Sequence, residues 1–257
     1  MKLFSQLPLW LVLCASVFAV GQGGELTVAA ASDLQPVMQQ MQADFEHDTG
    51  VEVRFVYGAS GNLFMQIENG APYDVFLSAD MNYPQRLVAA HWADPATLHR
   101  YAVGRLVLWA APGSGLDVKQ LGMRALLDPA VGKVAIANPQ HAPYGQAAVA
   151  AMKSAHLYDH VKGKLVVGEN VVQAAQFVRS GNAQLGLVAL PLVIGLPQGS
   201  YVEVPLESYP AIDQGLVVLK NAKNRAAADQ FVEYMKKMRT VMLLKRYGFE
   251  EAKTLQR

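Results

Sequence analysis

The chain has 257 residues, 52% of them hydrophobic and 17% charged, with 22 basic against 21 acidic side chains and a formal charge of +1. That length supplies a real core for one large or two small domains. The balance excludes a disordered chain and a basic nucleic-acid-binding surface, so a bound anion must be held by local dipoles and not by a positive field.

Residues 1–21 have the makeup of a cleaved secretory signal: Lys2 as a minimal positive region, an apolar run from Leu7 to Val20, and Ala19-Val20-Gly21 as a small-x-small cleavage site. The apolar run is short for a membrane span. The only cysteine, Cys14, lies inside it and follows Leu13, where a lipid-anchored signal would carry a small residue. The expected mature protein is therefore exported to the periplasm and free of disulfides, and packing alone must stabilise it.

From there strands and helices alternate. Glu25–Ala31 reads as a buried strand ending at Ser32-Asp33. A helix over Pro36–His47 follows, with Val37, Met38, Met41 and Phe45 on one face and Thr49-Gly50 as its stop. Val51–Tyr57 is the next strand, with Val53, Phe55 and Tyr57 alternating. The small-residue turn Gly58-Ala59-Ser60-Gly61 leads into a helix bearing Leu63, Phe64 and Ile67, stopped at Gly70, and Val75-Phe76-Leu77 forms a third strand. Tyr83–Ala90 is expected to be helical and His91–Pro95 a turn. Leu106–Ala111 begins a second series: a helix over Val118–Leu127, a strand over Lys133–Ala137, a helix from Gln146 to Ser154, a strand at Leu165–Val167 and a helix from Glu169-Asn170 to Arg179. Strands at Leu185–Leu190 and Gly215–Leu219 follow. A closing helical segment over Ala226–Tyr247 is expected to turn Met235, Met238 and Met242 inward. The pattern predicts an α/β protein of two lobes, each a mostly parallel sheet flanked by helices, with a ligand between them at the carboxyl ends of the strands. Lobe one takes residues 24–104 and 214–257, lobe two 105–213.

Four strand-to-helix junctions carry the chemistry. They lie at Ser32, at Ser60, at Pro143-Tyr144 and at Glu169-Asn170-Val171, two per lobe, and none contains Arg or Lys. Each presents backbone donors of a helix start. An isolated Ser-Gly before a helix is more often a simple cap, so the weight lies in the four together. A hydrogen bond to a charged group contributes about 1.5–3 kcal/mol and a helix terminus about 0.3–1 more. Five to seven such donors suffice for a fully deprotonated oxyanion without a counter-charge.

At these same residues the sequence resembles the periplasmic molybdate-binding proteins that serve molybdate ABC importers. The matching segments are Val28–Ser32, Ala59–Leu63, Gly70–Asp80, Asn138–Gly145, Gly168–Val171, Leu185–Leu190 and Arg246–Phe249, in order along nearly the whole mature chain. The resemblance implies a two-lobed type II periplasmic-binding-protein fold, a molybdate or tungstate ligand, a membrane permease of an ABC importer as partner, a monomer, and no cofactor. It implies hydroxyl donors at Ser32 and Ser60, and it places Tyr144 and Val171 at the ligand as well, with Asp33, Ala59 and Asn170 in support. The Asp33 carboxylate must then point away from the ion. Some members of the family place a ligand-touching tyrosine where this chain has Ala189, and the Tyr144 phenol is the expected substitute. The alternative ligand is another tetrahedral oxyanion such as sulfate.

An enzyme is not expected. Ser60 fails the Gly-x-Ser-x-Gly pattern at its last position, and His141 is expected to fix its loop by hydrogen bonding. Asp74 and Asp80 are expected to satisfy loop amides. A two-lobed regulatory sensor would need a DNA-binding segment or a membrane tether, and the sequence shows neither.

Overall fold

A computed structural model describes residues 25–197 and 199–252; the signal segment lies outside them. The elements are β1 (Leu26–Ala31), α1 (Gln35–Thr49), β2 (Val53–Gly58), α2 (Ser60–Glu68), β3 (Val75–Ser78), α3 (Asn82–Ala89), β4 (His99–Gly104) and β5 (Leu106–Ala110). There follow α4 (Val118–Leu121), β6 (Val134–Ala137), α5 (Pro143–Ser154), α6 (Tyr158–Val161), β7 (Leu165–Gly168), α7 (Val171–Arg179) and β8 (Leu185–Ala189). The chain closes with β9 (Ser200–Glu203), β10 (Ile212–Val218), α8 (Arg225–Lys236), α9 (Met238–Arg246) and β11 (Glu250–Glu251). Among the described residues no helix is long and apolar enough to cross a membrane.

These elements build two sheets. The first has the order β11-β4-β10-β3-β1-β2, the second β7-β6-β8-β5-β9. Each has a parallel triplet at one side, β2-β1-β3 and β7-β6-β8. Each then gains an antiparallel strand, β10 in the first sheet and β5 in the second. The chain passes from the first sheet to the second between β4 and β5, at Gly104-Arg105, and returns between β9 and β10. The sheets are thus more mixed than strand–helix alternation predicts, because the two strands that follow the crossings enter against the parallel direction.

Several departures from the expected elements have local causes. Strand β4 carries His99 and Arg100, which hide its apolar positions, and β9 is a four-residue strand bonded only to β5. Helix α5 begins at Pro143, three residues before the expected start, since Pro at the first turn loses no hydrogen bond that the helix could have made. The closing segment is not one helix. Lys237 is extended, with ψ 140°, and the Thr240 hydroxyl donates to the Tyr234 carbonyl across the break. Helix α9 is therefore re-aimed to bury Leu243 and Leu244, and Met238 and Met242 face solvent where an unbroken helix would have buried them.

Helix α1 follows its sequence pattern. Val37, Met38, Met41 and Phe45 are buried, and Gly50 closes the helix in the left-handed region at φ 69°. Phe45 is the joint between the N-terminal and C-terminal parts of the first sheet's core. Its ring meets Phe231 at 5.4 Å and Tyr234 at 5.1 Å, both edge-on. Asp74 adds a polar joint in the same unit, accepting from the backbone N–H groups of Thr27 and Lys223. Replacing Phe45 by Ala should cost about 3–5 kcal/mol of unfolding free energy, measured by urea titration. A loss under 1 kcal/mol would mean that α8 does not depend on this contact.

Candidate functional site

The four junctions named from the sequence meet between the sheets. A small cavity there is lined by Ala31, Ser32 and Asp33 after β1, by Gly58, Ala59 and Ser60 after β2, and by Ala79 after β3. From the second sheet it is lined by Ala142, Pro143 and Tyr144 after β6 and by Val171 after β7. The cavity is narrow and closely walled by these small residues. Asp33 is the only charged residue in the lining. A wider groove between α1 and α7 carries Gln35, Gln39, Gln176 and Arg179. Arg179 lies eight residues along α7 from Val171, roughly 12 Å at the helical rise. Arg179 lines that groove and not the cavity.

Each lining group is placed by its own local structure. Ser60 is the first residue of α2, and its side chain does not cap that helix. Its Oγ instead accepts from the Ala79 N–H at 2.9 Å. An acceptor so used keeps its O–H free to donate. Asn170 does cap: its Oδ1 accepts from Val172 and Gln173 at 3.0 and 3.1 Å, which leaves the Val171 N–H as the uncapped amide of that turn. In α5 the cap residue Ala142 offers no side chain and Pro143 no N–H, so Tyr144 carries the first amide of the helix. Such first-turn amides have no intrahelical acceptor. Ser32 opens a single 3-10 turn through Leu34 and is buried.

One hydrogen bond crosses between the sheets at the cavity rim, from the Gly61 N–H to the His141 carbonyl at 2.8 Å. A side chain at Gly61 would meet that same carbonyl at 2.8 Å, so only glycine allows the approach. His141 contributes here through its backbone.

Asp33 is fully buried, and one oxygen of its carboxylate is engaged by Gln214 of β10. Its Oδ2 accepts from Gln214 Nε2 at 2.6 Å, and Gln214 Oε1 in turn accepts from the Tyr101 hydroxyl at 2.8 Å. Burial pushes the Asp33 pKa up to about 6, against the pull of the Gln214 and Tyr144 side chains. The Tyr144 phenol is buried as well. Desolvation, and after it the Asp33 charge, hold its pKa well above 10, so it stays protonated. Its hydroxyl lies against Gly104, where even a methyl group would collide with it. Gln214, Tyr101 and Gly104 were missed in the sequence: Gln214 sits at the polar-looking entry to an apolar strand, and Tyr101 and Gly104 belong to the unexpected strand β4.

Two lobes closing on a small cavity at the carboxyl ends of their strands define a receptor that encloses a solute. The chain belongs to the bacterial extracellular solute-binding protein family, whose sequence profile matches residues 26–250. It is 38% identical over 250 residues to the molybdate-binding protein ModA of Azotobacter vinelandii, covering 96% of this chain and 98% of that one. It is 37% identical over 226 residues to ModA of Rhodobacter capsulatus, covering 88% of each. The solved structure of the Azotobacter vinelandii periplasmic molybdate-binding protein superposes with a TM-score of 0.83 at 34% identity, over 88% of this chain and 99% of that chain.

The buried carboxyl has a sign that can be checked. A folded-state pKa raised from 3.8 to about 6 means that the folded protein holds this proton more tightly than the unfolded chain. Its contribution to stability is therefore lost as pH rises from about 4 to about 6. Relative to wild type, Asp33→Asn should gain about 2 kcal/mol more at pH 7.5 than at pH 4.5 in the unliganded protein. Denaturation curves at the two pH values check this, and an equal effect at both would show that Asp33 does not titrate in that window.

Proposed function

We propose that this protein captures molybdate in the periplasm and hands it to the membrane permease of an ABC importer, and that tungstate, of the same charge and shape, occupies the same site. The observation that supports this most directly is the lining of the cavity: hydroxyls and first-turn amides from both sheets, with no basic side chain among them. Ser32 and Ser60 donate through their hydroxyls, Tyr144 and Val171 through their backbone N–H groups. Ala59 and Asn170 fix the turns that aim these donors, and Asp33 keeps its charge directed at Gln214. The ModA relatives favour molybdate over sulfate as the resident ion. Nothing in the lining offers a nucleophile with a base to activate it, so the site binds without transforming its ligand. The two lobes, 24–104 with 214–257 and 105–213, act within one monomer, released to the periplasm once the signal segment is cleaved.

A dianion in such a site is stabilised by donors that each lobe already holds in place, so little reorganisation within a lobe accompanies binding. A monohydrogen phosphate would bring a proton that needs an acceptor, and the sole carboxylate of the lining is already engaged by Gln214. Calorimetry with molybdate, tungstate, sulfate and phosphate tests the proposal. Molybdate and tungstate should bind, and phosphate should not compete. Ser60→Ala removes one donor to a charged ligand and should weaken molybdate binding by about tenfold to a hundredfold with the fold intact. Tighter binding of sulfate than of molybdate would overturn the assignment of the ion.

A further inference from the structure

Three buried side-chain polar atoms among the described residues lack a hydrogen-bond partner, and two of them belong to neighbouring groups: Asp33 Oδ1 on the first sheet's side and the Tyr144 hydroxyl on the second's. Each is what the other needs. The phenol is held protonated, and Oδ1 is an acceptor whose sister oxygen is already satisfied by Gln214. The orientation of Gln214 is fixed from both sides. Its amide nitrogen must face the carboxylate, an acceptor only, and its amide oxygen takes the Tyr101 proton. Gln214 is hydrogen-bonded to Oδ2, and Oδ1 is left without a partner. The place is also telling. Gly104 ends β4 just before the chain crosses to the second sheet, and its lack of a side chain makes the space that the Tyr144 hydroxyl fills. A phenol carried by the second sheet's α5 is thus inserted among Gly104, Gln214 and Asp33 of the first.

We propose that the Tyr144 hydroxyl is a latch between the lobes: it donates to Asp33 Oδ1 as the cleft closes on the anion, and it serves the carboxylate and not the ion. This rests on the oxyanion-receptor function proposed above. The latch does two things at once. It supplies the last hydrogen bond of a buried carboxylate, which otherwise costs the closed form the full desolvation of that oxygen. It also draws the Asp33 charge toward the phenol and away from the Ser32 side of the cavity, where it would repel a dianion. Tyr144 then has two separate roles, its backbone N–H at the ion and its hydroxyl at the lobe contact, and the hydroxyl is a positioning group.

A double-mutant cycle on molybdate binding separates this from direct contact with the ion. Tyr144→Phe in the native background should raise Kd at least tenfold, through a faster off-rate with the on-rate within about twofold. In the Asp33→Asn background, where the amide can meet the neighbouring groups without the phenol, the same change should cost less than threefold. Gly104→Ala should weaken binding in the native background, because its methyl collides with the hydroxyl, and should cost little further when added to Tyr144→Phe. Thermal melts without ligand establish that each variant folds. An equal Tyr144→Phe cost in both backgrounds would overturn the latch and give the hydroxyl to the ion. So would no cost in either background. Wild-type protein that takes up none of the oxyanions would overturn the function itself, whereas uptake with additive costs would overturn the latch alone.

Discussion

The structure depends on amide groups that helices cannot satisfy by themselves. The first turn of every α-helix leaves N–H donors without intrahelical acceptors, and most proteins give them to caps or water. Here the caps are withheld where the donors are wanted. Ala59 and Ala142 stand at cap positions with no side-chain acceptor, and Asn170 caps the second and third amides of its helix but not the first. Ser60 sits where it is easily mistaken for a cap, yet its oxygen is occupied by the Ala79 N–H. The result is a cluster of donors held by rigid elements at the carboxyl ends of four strands, which is where an open α/β sheet leaves room for a ligand.

That arrangement places no basic residue in the lining. A basic residue in the cavity would give indiscriminate attraction to anions, while oriented dipoles give attraction only at the points they aim at. The one charge in the lining is acidic, and its cost is contained by burying it on Gln214 and Tyr101, from strands β10 and β4 of the same sheet. The crossing at Gly104 keeps these groups close to the second sheet's Tyr144.

Much of this was legible in the sequence, for definite reasons. The buried faces of α1 and α2 follow helical spacing, and the four junctions are marked by small residues, Ser, Pro or Asn at strand ends. What the sequence did not yield was set by tertiary pairing. Strand β4 takes its place from pairing with β10 and not from its own polar composition, and the antiparallel entry of β5 and β10 follows from the crossings. The direction of a side chain was also beyond it. Tyr144 was expected at the ligand, and the structure brings it to the cavity, but its hydroxyl runs on to Gly104, a destination that no spacing in the chain discloses. The break at Lys237 was missed for a similar reason, since its extended backbone is fixed by packing and not by a proline or glycine.

The most direct measurement of the central claim is anomalous scattering at the molybdenum absorption edge from crystals grown with molybdate. The predicted result is a single strong peak between the turns of Ser32, Ser60, Tyr144 and Val171, with hydroxyl and backbone nitrogen atoms as its neighbours and no basic side chain in contact. A peak elsewhere on the molecule, or one whose neighbours include a lysine or arginine, would contradict the account.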